Sequence, residues 1–416
     1  MGNFFFLQIF TVIFALSIAT TIFNKRILGF PQAIGVPIVS AIFVFILQWG
    51  ASLLSGNQFI TINIHNIEEA VRHIDFYDFL INGVICFILT SSALKFKVSD
   101  LKKHWKPISI LASIALVLCA VFFGVVLYGY QFLIGKHVDI LVLLLLGAAL
   151  GATDPIGIKA VLSSVRAPHH LIVKLEGESL FNDAMCIAVF MTLLNVLQGE
   201  HFTIIGTLET LLYEIVVAII IGWGFGLGIL RLLRGKHEME SLILTTALLA
   251  CGSYLVALFA HASAPIACVI GGLVVGNKWK EILQEREIRE VNHFWHTVEG
   301  IINSFLFTLI GLELFILDLS ISLILGGIVA FIILHASRFA ANYLSFAFFP
   351  NFRHKSYNGS LAILSWGGVR GGISLALILA VANIPELSEY SSILIGYTFI
   401  AVLLSGLVCG LGLPAV

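Results

Sequence analysis

Glu176, Glu178, Asn182 and Asp183 fall within eight residues of the stretch KLEGESLFNDAMCIAVFMTLL. The residues after them are apolar, so Asp183 stands about two turns inside a long hydrophobic segment. A bare carboxylate at such depth is costly, and ionisable residues there mark functional sites by default. Glu178 and Asn182 are four residues apart and share a helix face. Asp183 is turned from Asn182 by about 100°. A carboxylate, an amide oxygen, a hydroxyl and backbone carbonyls together form a hard oxygen set that suits an alkali cation. Glu176 lies nearer the segment's end and reads as a solvated end charge.

A second group lies upstream, in LVLLLLGAALGATDPIGIKAVLSSV, which carries Thr153-Asp154-Pro155 in its middle. Pro155 lacks an N–H and clashes with the preceding turn, so a helix breaks there. Gly147, Gly151 and Gly157 loosen the backbone further. Freed carbonyls and the Thr153 hydroxyl then stand beside the Asp154 carboxylate and could hold a cation. A plain proline kink with a structural aspartate is the simpler reading, but it does not explain why kink, hydroxyl and carboxylate coincide. Downstream, SWGGVRGGISLALILA sets four glycines around Val369-Arg370. This too reads as a broken helix, with Arg370 balancing helix-end dipoles or carboxylates. A glycine-rich packing seam explains the glycines equally well but leaves the arginine unexplained. Arg338 is the other basic residue well inside an apolar segment. A cation near a bilayer centre costs about 2.5–3.5 kcal/mol or more, so both arginines call for partners.

The elements that must position these groups are membrane-spanning helices. Of 416 residues, 59% are hydrophobic and 11% charged, against roughly 25% charge in soluble domains. No single water-soluble core could hide so much apolar surface, whereas a lipid bilayer can. The net charge of −1 gives no basic balance that points to nucleic acid. Six cysteines, Cys86, Cys119, Cys186, Cys251, Cys268 and Cys409, lie in apolar stretches without metal spacing and read as buried free thiols. The first apolar run shows no cleavage site and reads as a retained span.

Thirteen spans are expected, at 4–23, 27–52, 76–94, 107–134, 140–166, 175–197, 203–233, 241–262, 264–277, 297–317, 321–347, 358–382 and 391–413. The fold class is therefore an all-α membrane protein. The longest polar links are Ser55–Asp75 and Lys278–His296, and the second is patterned as an amphipathic helix on the membrane surface. With the N-terminus outside, 19 basic residues flank the inner face and two, Arg72 and Lys136, the outer. This positive-inside bias places the C-terminus in the cytoplasm, with the protein in the cell membrane. Setting the first span aside, spans two to six and nine to thirteen form five-helix units that run in opposite directions. The broken fifth and twelfth spans are each fourth in their unit, the pattern of an inverted repeat with its site where the two breaks cross.

At these residues the chain resembles the sodium/proton exchanger family of bacterial or archaeal type, the first monovalent cation:proton antiporter family. GATDP, EGESLFNDA, the span bearing Arg338, and WGGVRGG with ISLALILA occur in family order; HASAPIACVIGGLVVGN and NSFLFTLIGLEL are also similar. The resemblance covers most of the chain. It implies a homodimer of thirteen-span protomers that exchanges sodium or lithium for protons and serves pH homeostasis, with no cofactor. It implies one transporter unit in two parts, a moving core at 107–197 and 321–413 and a dimerisation scaffold at 1–94 and 203–317. Asp183 would be the essential ion- and proton-binding carboxylate, with Asn182, Thr153, Asp154 and Ser179 in or beside the site. Asp183, Asp154, Thr153 and Ser179 would ligate sodium. Glu178 would pair with Arg338, and Arg370 would organise the crossing. The Asn182-Asp183 pair, rather than two aspartates, implies electroneutral exchange.

Ala264, Lys159 and the close at GLGLPAV depart from the family pattern. The first two leave ion choice open, and the last argues against control by a C-terminal tail. Potassium is the alternative cation. An intramembrane aspartyl protease using Asp154 and Asp183 and a cation channel are the rival classes, although the Tyr-Asp and Gly-x-Gly-Asp settings of such proteases are absent.

Overall fold

The computed structural model describes residues 2–30, 32–53, 83–154, 169–199, 203–235, 238–312, 320–347, 357–382 and 384–409. Among these the chain is a bundle of helices with no β-strand. In order they are α1 (Gly2–Phe23), α2 (Gln32–Leu53), α3 (Ile85–Lys95), α4 (Val98–Leu133), α5 (Ile140–Ala149), α6 (His169–Leu197), α7 (Ile204–Leu232), α8 (Met239–Phe259), α9 (Ala264–Lys278), α10 (Glu285–Leu312), α11 (Ile321–Ala347), α12 (Tyr357–Trp366), α13 (Gly372–Ala382) and α14 (Ser391–Leu404), the last carried on by a π-turn through Ser405–Cys409. Pro155, Gly157, Lys159, Arg72, Lys236, Arg353 and Lys355 lie outside the described residues, as does the Ser55–Asp75 link.

Seven stretches among the described residues are long and apolar enough to cross a membrane, and three shorter apolar helices, Ile85–Lys95, Ile140–Ala149 and Gly372–Val381, join them. Two of the short ones, α5 and α13, are halves of the interrupted spans. α6 begins at His169, earlier than its apolar run, so Asp183 is the middle residue of its 29. α9 has only 15 residues, about 22 Å of helix, less than the ~30 Å hydrocarbon core. It is nevertheless lined by buried residues, because α3, α7 and α8 surround it.

The Lys278–His296 segment differs from its expected form as a surface helix. After a short 3₁₀ turn at Trp279–Glu281 it becomes the first part of α10, one helix of 28 residues. Ile288, Val291 and Trp295 supply its apolar face and are buried with Leu94, Leu230 and Leu249. A 3.6-residue period shows that a helix has one apolar face; it does not distinguish lipid from neighbouring helices as the surface that covers it.

Packing falls along chain order. α4, α5 and α6 contact α11 to α14, while α1 to α3 contact α7 to α10. An ion pair ties the first of these groups together deep in the bundle. Arg338 Nη2 on α11 donates to Glu178 Oε1 on α6 at 2.6 Å, with both side chains almost wholly buried. The same nitrogen donates to the Leu364 carbonyl on α12 at 3.2 Å. The cost of burying two charges is offset only when they meet, and removing one partner of such a pair costs about 3–5 kcal/mol. Glu178→Ala and Arg338→Ala should therefore each lower thermal stability or yield, and the double variant should lose less than the sum. A double-mutant cycle of melting temperatures measures this; additive losses would show that the pair contributes nothing as a pair.

Candidate functional site

The site is built where two helices end inside the membrane. α5 tightens through a Gly151 N–H to Ala148 carbonyl bond at 2.9 Å, and the backbone leaves the helix over Ala152–Asp154. The break between α12 and α13 spans Gly367–Gly371. The two interruptions are bonded main chain to main chain, since the Asp154 N–H donates to the Val369 carbonyl at 2.8 Å. A donor orphaned by one break thus finds an acceptor orphaned by the other. The approach is close enough that a Cβ on Gly371 would lie 2.9 Å from Asp154 Cβ. One on Gly368 would lie 2.6 Å from Arg338 Nε, so glycine at that position makes room for the Glu178–Arg338 pair.

Arg370 leaves the second break and caps the first. Its Nη1 donates to the carbonyls of Gly151 at 2.6 Å and Ala152 at 3.1 Å, while its own N–H donates to Ser405 Oγ at 3.0 Å. The C-terminal end of α5 carries partial negative charge from unpaired carbonyls, and a guanidinium there is favoured both by that field and by direct bonds. The expected cation-ligating role of the freed carbonyls is accordingly not what the geometry gives Gly151 and Ala152, because a fixed charge of the protein already occupies them.

One stripe of α6 faces the break. Ser179 Oγ donates to the Thr153 carbonyl, and Thr153 Oγ1 donates to Ser179 Oγ at 3.3 Å. Asn182 Nδ2 donates to the Gly151 carbonyl at 2.8 Å and reaches Thr153 Oγ1 at 3.3 Å. Cys186 Sγ lies 2.9 Å from the Ala148 carbonyl. Ser179, Asn182, Asp183 and Cys186 stand at i, i+3, i+4 and i+7, one face of a helix. Sequence reasoning passed over Cys186 as a buried thiol, although its place on this stripe was available. Glu178 points to Arg338 instead, and Glu176 is partly buried.

The stripe leaves two oxygens over. Asp183 Oδ1 and Asn182 Oδ1 are buried and accept no hydrogen bond among the described residues. The amide's orientation follows from its partners, since the NH₂ end faces a carbonyl and the oxygen is left free. The Asp154 carboxylate and the Thr153 backbone N–H lie within electrostatic reach of Asp183. Beside them is a very small pocket of about 10 Å³ bounded by Asn182, Arg338, Asn342 and Arg370, with Leu116 and Cys119 of α4. Unpaired acceptors on neighbouring residues of a buried helix are a costly arrangement. A proton or a small cation would relieve it.

Known proteins match this chain over its length. The model of the family described as "Sodium/hydrogen exchanger, transmembrane" matches residues 12–413. The Na(+)/H(+) antiporter NhaP of Pseudomonas aeruginosa is 33% identical over 98% of this chain and 95% of its own length. The low-affinity Na(+)/H(+) antiporter NhaS1 of Synechocystis is 30% identical, over 77% of this chain and 61% of its own length. In structure the chain is similar to the sodium proton antiporter MjNhaP1 of Methanocaldococcus jannaschii, with a TM-score of 0.74 over 99% of this chain and 98% of that one, at 18% identity. That likeness establishes the fold, and the family match and the Pseudomonas relative together establish kinship: the chain belongs to the sodium/hydrogen exchanger family.

Proposed function

We propose that this protein is a secondary antiporter that exchanges sodium for protons, with the Asp183 carboxylate as the carrier of both. The observation that carries the reading is the pair of buried, unpartnered acceptor oxygens of Asp183 and Asn182 at the crossing of two broken helices. A sodium ion takes oxygen ligands, and a proton takes the same carboxylate oxygen. One site cannot hold both at once, so occupancy by either excludes the other. Asp154, Thr153 and Ser179 complete the ligand set when the cation is present. Thr153 and Ser179 bond each other, so their hydroxyls must turn to ligate an ion.

Alternating access then needs one body to move against another. The helices α4 to α6 with α11 to α14 form the moving core, and α1 to α3 with α7 to α10 form the scaffold on which two protomers pair. What supports this division is that contacts within each group are extensive, while those between groups run through a few helix pairs, such as α6 with α9 and α10 with α13. The asymmetry of 19 basic residues against two supports an outside N-terminus and a cytoplasmic C-terminus. A single carboxylate that carries one sodium in one direction and one proton in the other gives one-for-one, electroneutral exchange.

The direct experiment is cation-driven dequenching of a pH dye in proteoliposomes, with sodium, lithium and potassium in turn. Flux without cation dependence would dismiss the proposal, conductance without coupling would mark a channel, and a preference for potassium would change the substrate alone. Asp183→Asn should abolish sodium-driven proton flux while yield and melting temperature stay near wild type, because size is kept and the titratable charge is lost. Sustained exchange by a well-folded Asp183→Asn protein would remove Asp183 from the centre.

Competition also fixes a pH dependence. As pH falls below the carboxylate's pKa, protons fill the site and the apparent sodium constant should rise, approaching about tenfold per pH unit for one shared proton. With equal pH on both sides, exchange should follow a bell, since at high pH no proton is available to return. Measuring the sodium constant in proteoliposomes at several pH values checks this. A constant that is flat across the active range would require separate sites for the two ions.

A further inference from the structure

The chain passes from the scaffold to the core between α3 and α4 through two residues, Phe96 and Lys97, both extended. The segment that meets this link is HASAPIACVIGGLVVGN, which the ion site does not use. Its Gly272 and Gly276 stand at i and i+4 on α9, and small residues at this spacing let two helices approach closely. A Cβ on Gly272 would lie 2.6 Å from Ala93 Cβ, and one on Gly276 would overlap the Leu94 carbonyl. α9 is therefore seated on the last turn of α3, and its next residue, Asn277, reaches just past the end of that helix. We propose that Asn277 is a positioning residue for transport, which clasps the α3–α4 link to the scaffold and fixes the point about which the core turns. The proposal rests on the division into core and scaffold given above.

The clasp uses every hydrogen-bonding group of the amide. Asn277 Nδ2 donates to the Phe96 carbonyl at 3.0 Å, and Oδ1 accepts from the Val98 N–H at 2.8 Å. These two backbone groups flank Lys97 and point to one side of an extended chain, so a carboxamide meets them as a neighbouring strand would. The second amide proton goes to the Leu273 carbonyl at 2.8 Å, one turn back on α9, which holds the side chain to its own helix. Val98 is the first residue of α4, and its N–H is one of the donors that a helix start leaves open. Lys97 at the N-cap bonds none of them with its side chain, so Asn277 supplies the cap from another helix. On its other side Phe96 meets the core: a Cβ on Gly177 of α6 would lie 3.3 Å from Phe96 Cζ. The backbone of Phe96 is thus held by α9, while its ring bears on the helix that carries Asp183. Two extended residues span at most about 7 Å, which limits how far the core can leave the scaffold but not in which direction. The amide supplies the direction. Hinges of rigid-body motions are a few element-terminal residues of this kind.

The test is sodium-driven dequenching in proteoliposomes over a range of sodium concentrations, with the folded fraction measured in parallel. Asn277→Leu should lower the maximal rate about ten-fold, the scale of one hydrogen bond's worth of positioning. Half-saturating sodium should stay within about two-fold, because the Asp183 site is untouched. Asn277→Asp should also lose rate, since a carboxylate accepts from Val98 but cannot donate to Phe96. Val98→Pro tests the clasp from the other side and covers the case in which Asn277→Leu does not fold. Proline is favoured at the first position of a helix and after an extended residue, so it deletes the N–H with little else. Its rate should fall without a change in half-saturation. A wild-type maximal rate in these variants would overturn the proposal. So would a fall in rate accounted for by weaker sodium affinity or by loss of folded protein, which would make Asn277 plain support for the fold. Spin labels at Leu248→Cys of α8 and Phe339→Cys of α11, both exposed positions, separate the clasp from the division it rests on. In the parent chain their separation should take two values set by sodium and pH, and Asn277→Leu should broaden both. One fixed separation in an actively exchanging parent would remove the division into core and scaffold. Two values that Asn277→Leu leaves sharp would overturn the clasp alone.

Discussion

The contact between the Arg370 guanidinium and the carbonyls of Gly151 and Ala152 closes a helix end that is broken inside the membrane. Two helices stop in the middle of a membrane, and each leaves backbone groups that lipid cannot satisfy. A mobile cation could cover the carbonyls only while it was bound. A covalently attached arginine covers them always. With that charge in place, the Asp154 N–H is free to bond Val369, and Asn182 can share the Gly151 carbonyl while keeping its oxygen free. The Asp183 carboxylate keeps one buried oxygen that accepts no hydrogen bond among the described residues, with the Thr153 N–H and the Asp154 carboxylate nearby.

The same logic separates the two arginines of the core. Arg338 has a carboxylate of its own in Glu178, so its charge is internal to the framework of the site. Arg370 has carbonyl dipoles and no carboxylate partner among the hydrogen bonds above. Its positive charge therefore stays electrostatically available to the neighbouring acidic groups. One arginine holds helices together, while the other holds the crossing together.

Much of this could be read from residue types. The apolar runs located the helices, because lipid replaces a packed core as the apolar solvent and leaves a strong one-dimensional signal. Helix ends were less legible. α6 and α10 both start well before their apolar runs, since a helix can project past the hydrocarbon and hydropathy records only the part inside it. The breaks at Thr153-Asp154-Pro155 and around Val369-Arg370 announced themselves through proline and glycine. The destination of the freed carbonyls did not, because Gly151 and Arg370 are 219 residues apart and no local pattern links them. The stripe from Ser179 to Cys186 was present in the spacing, but a cysteine in an apolar run looks the same whether it faces a site or a neighbouring leucine.

Asp183 lies inside the membrane-spanning helix α6, and that position has an electrical meaning. An ion reaching it crosses part of the membrane voltage, and a full crossing is worth roughly 2.3 kcal/mol per 100 mV for a single charge. In the proposed exchange, the loaded carboxylate and its ion are neutral together, whether the ion is a proton or sodium. The charge that crosses the middle of the bilayer with each loaded species is therefore the same, and the resting potential of the cell does no work on the exchange. An electroneutral carrier of this kind would be driven by concentration gradients alone.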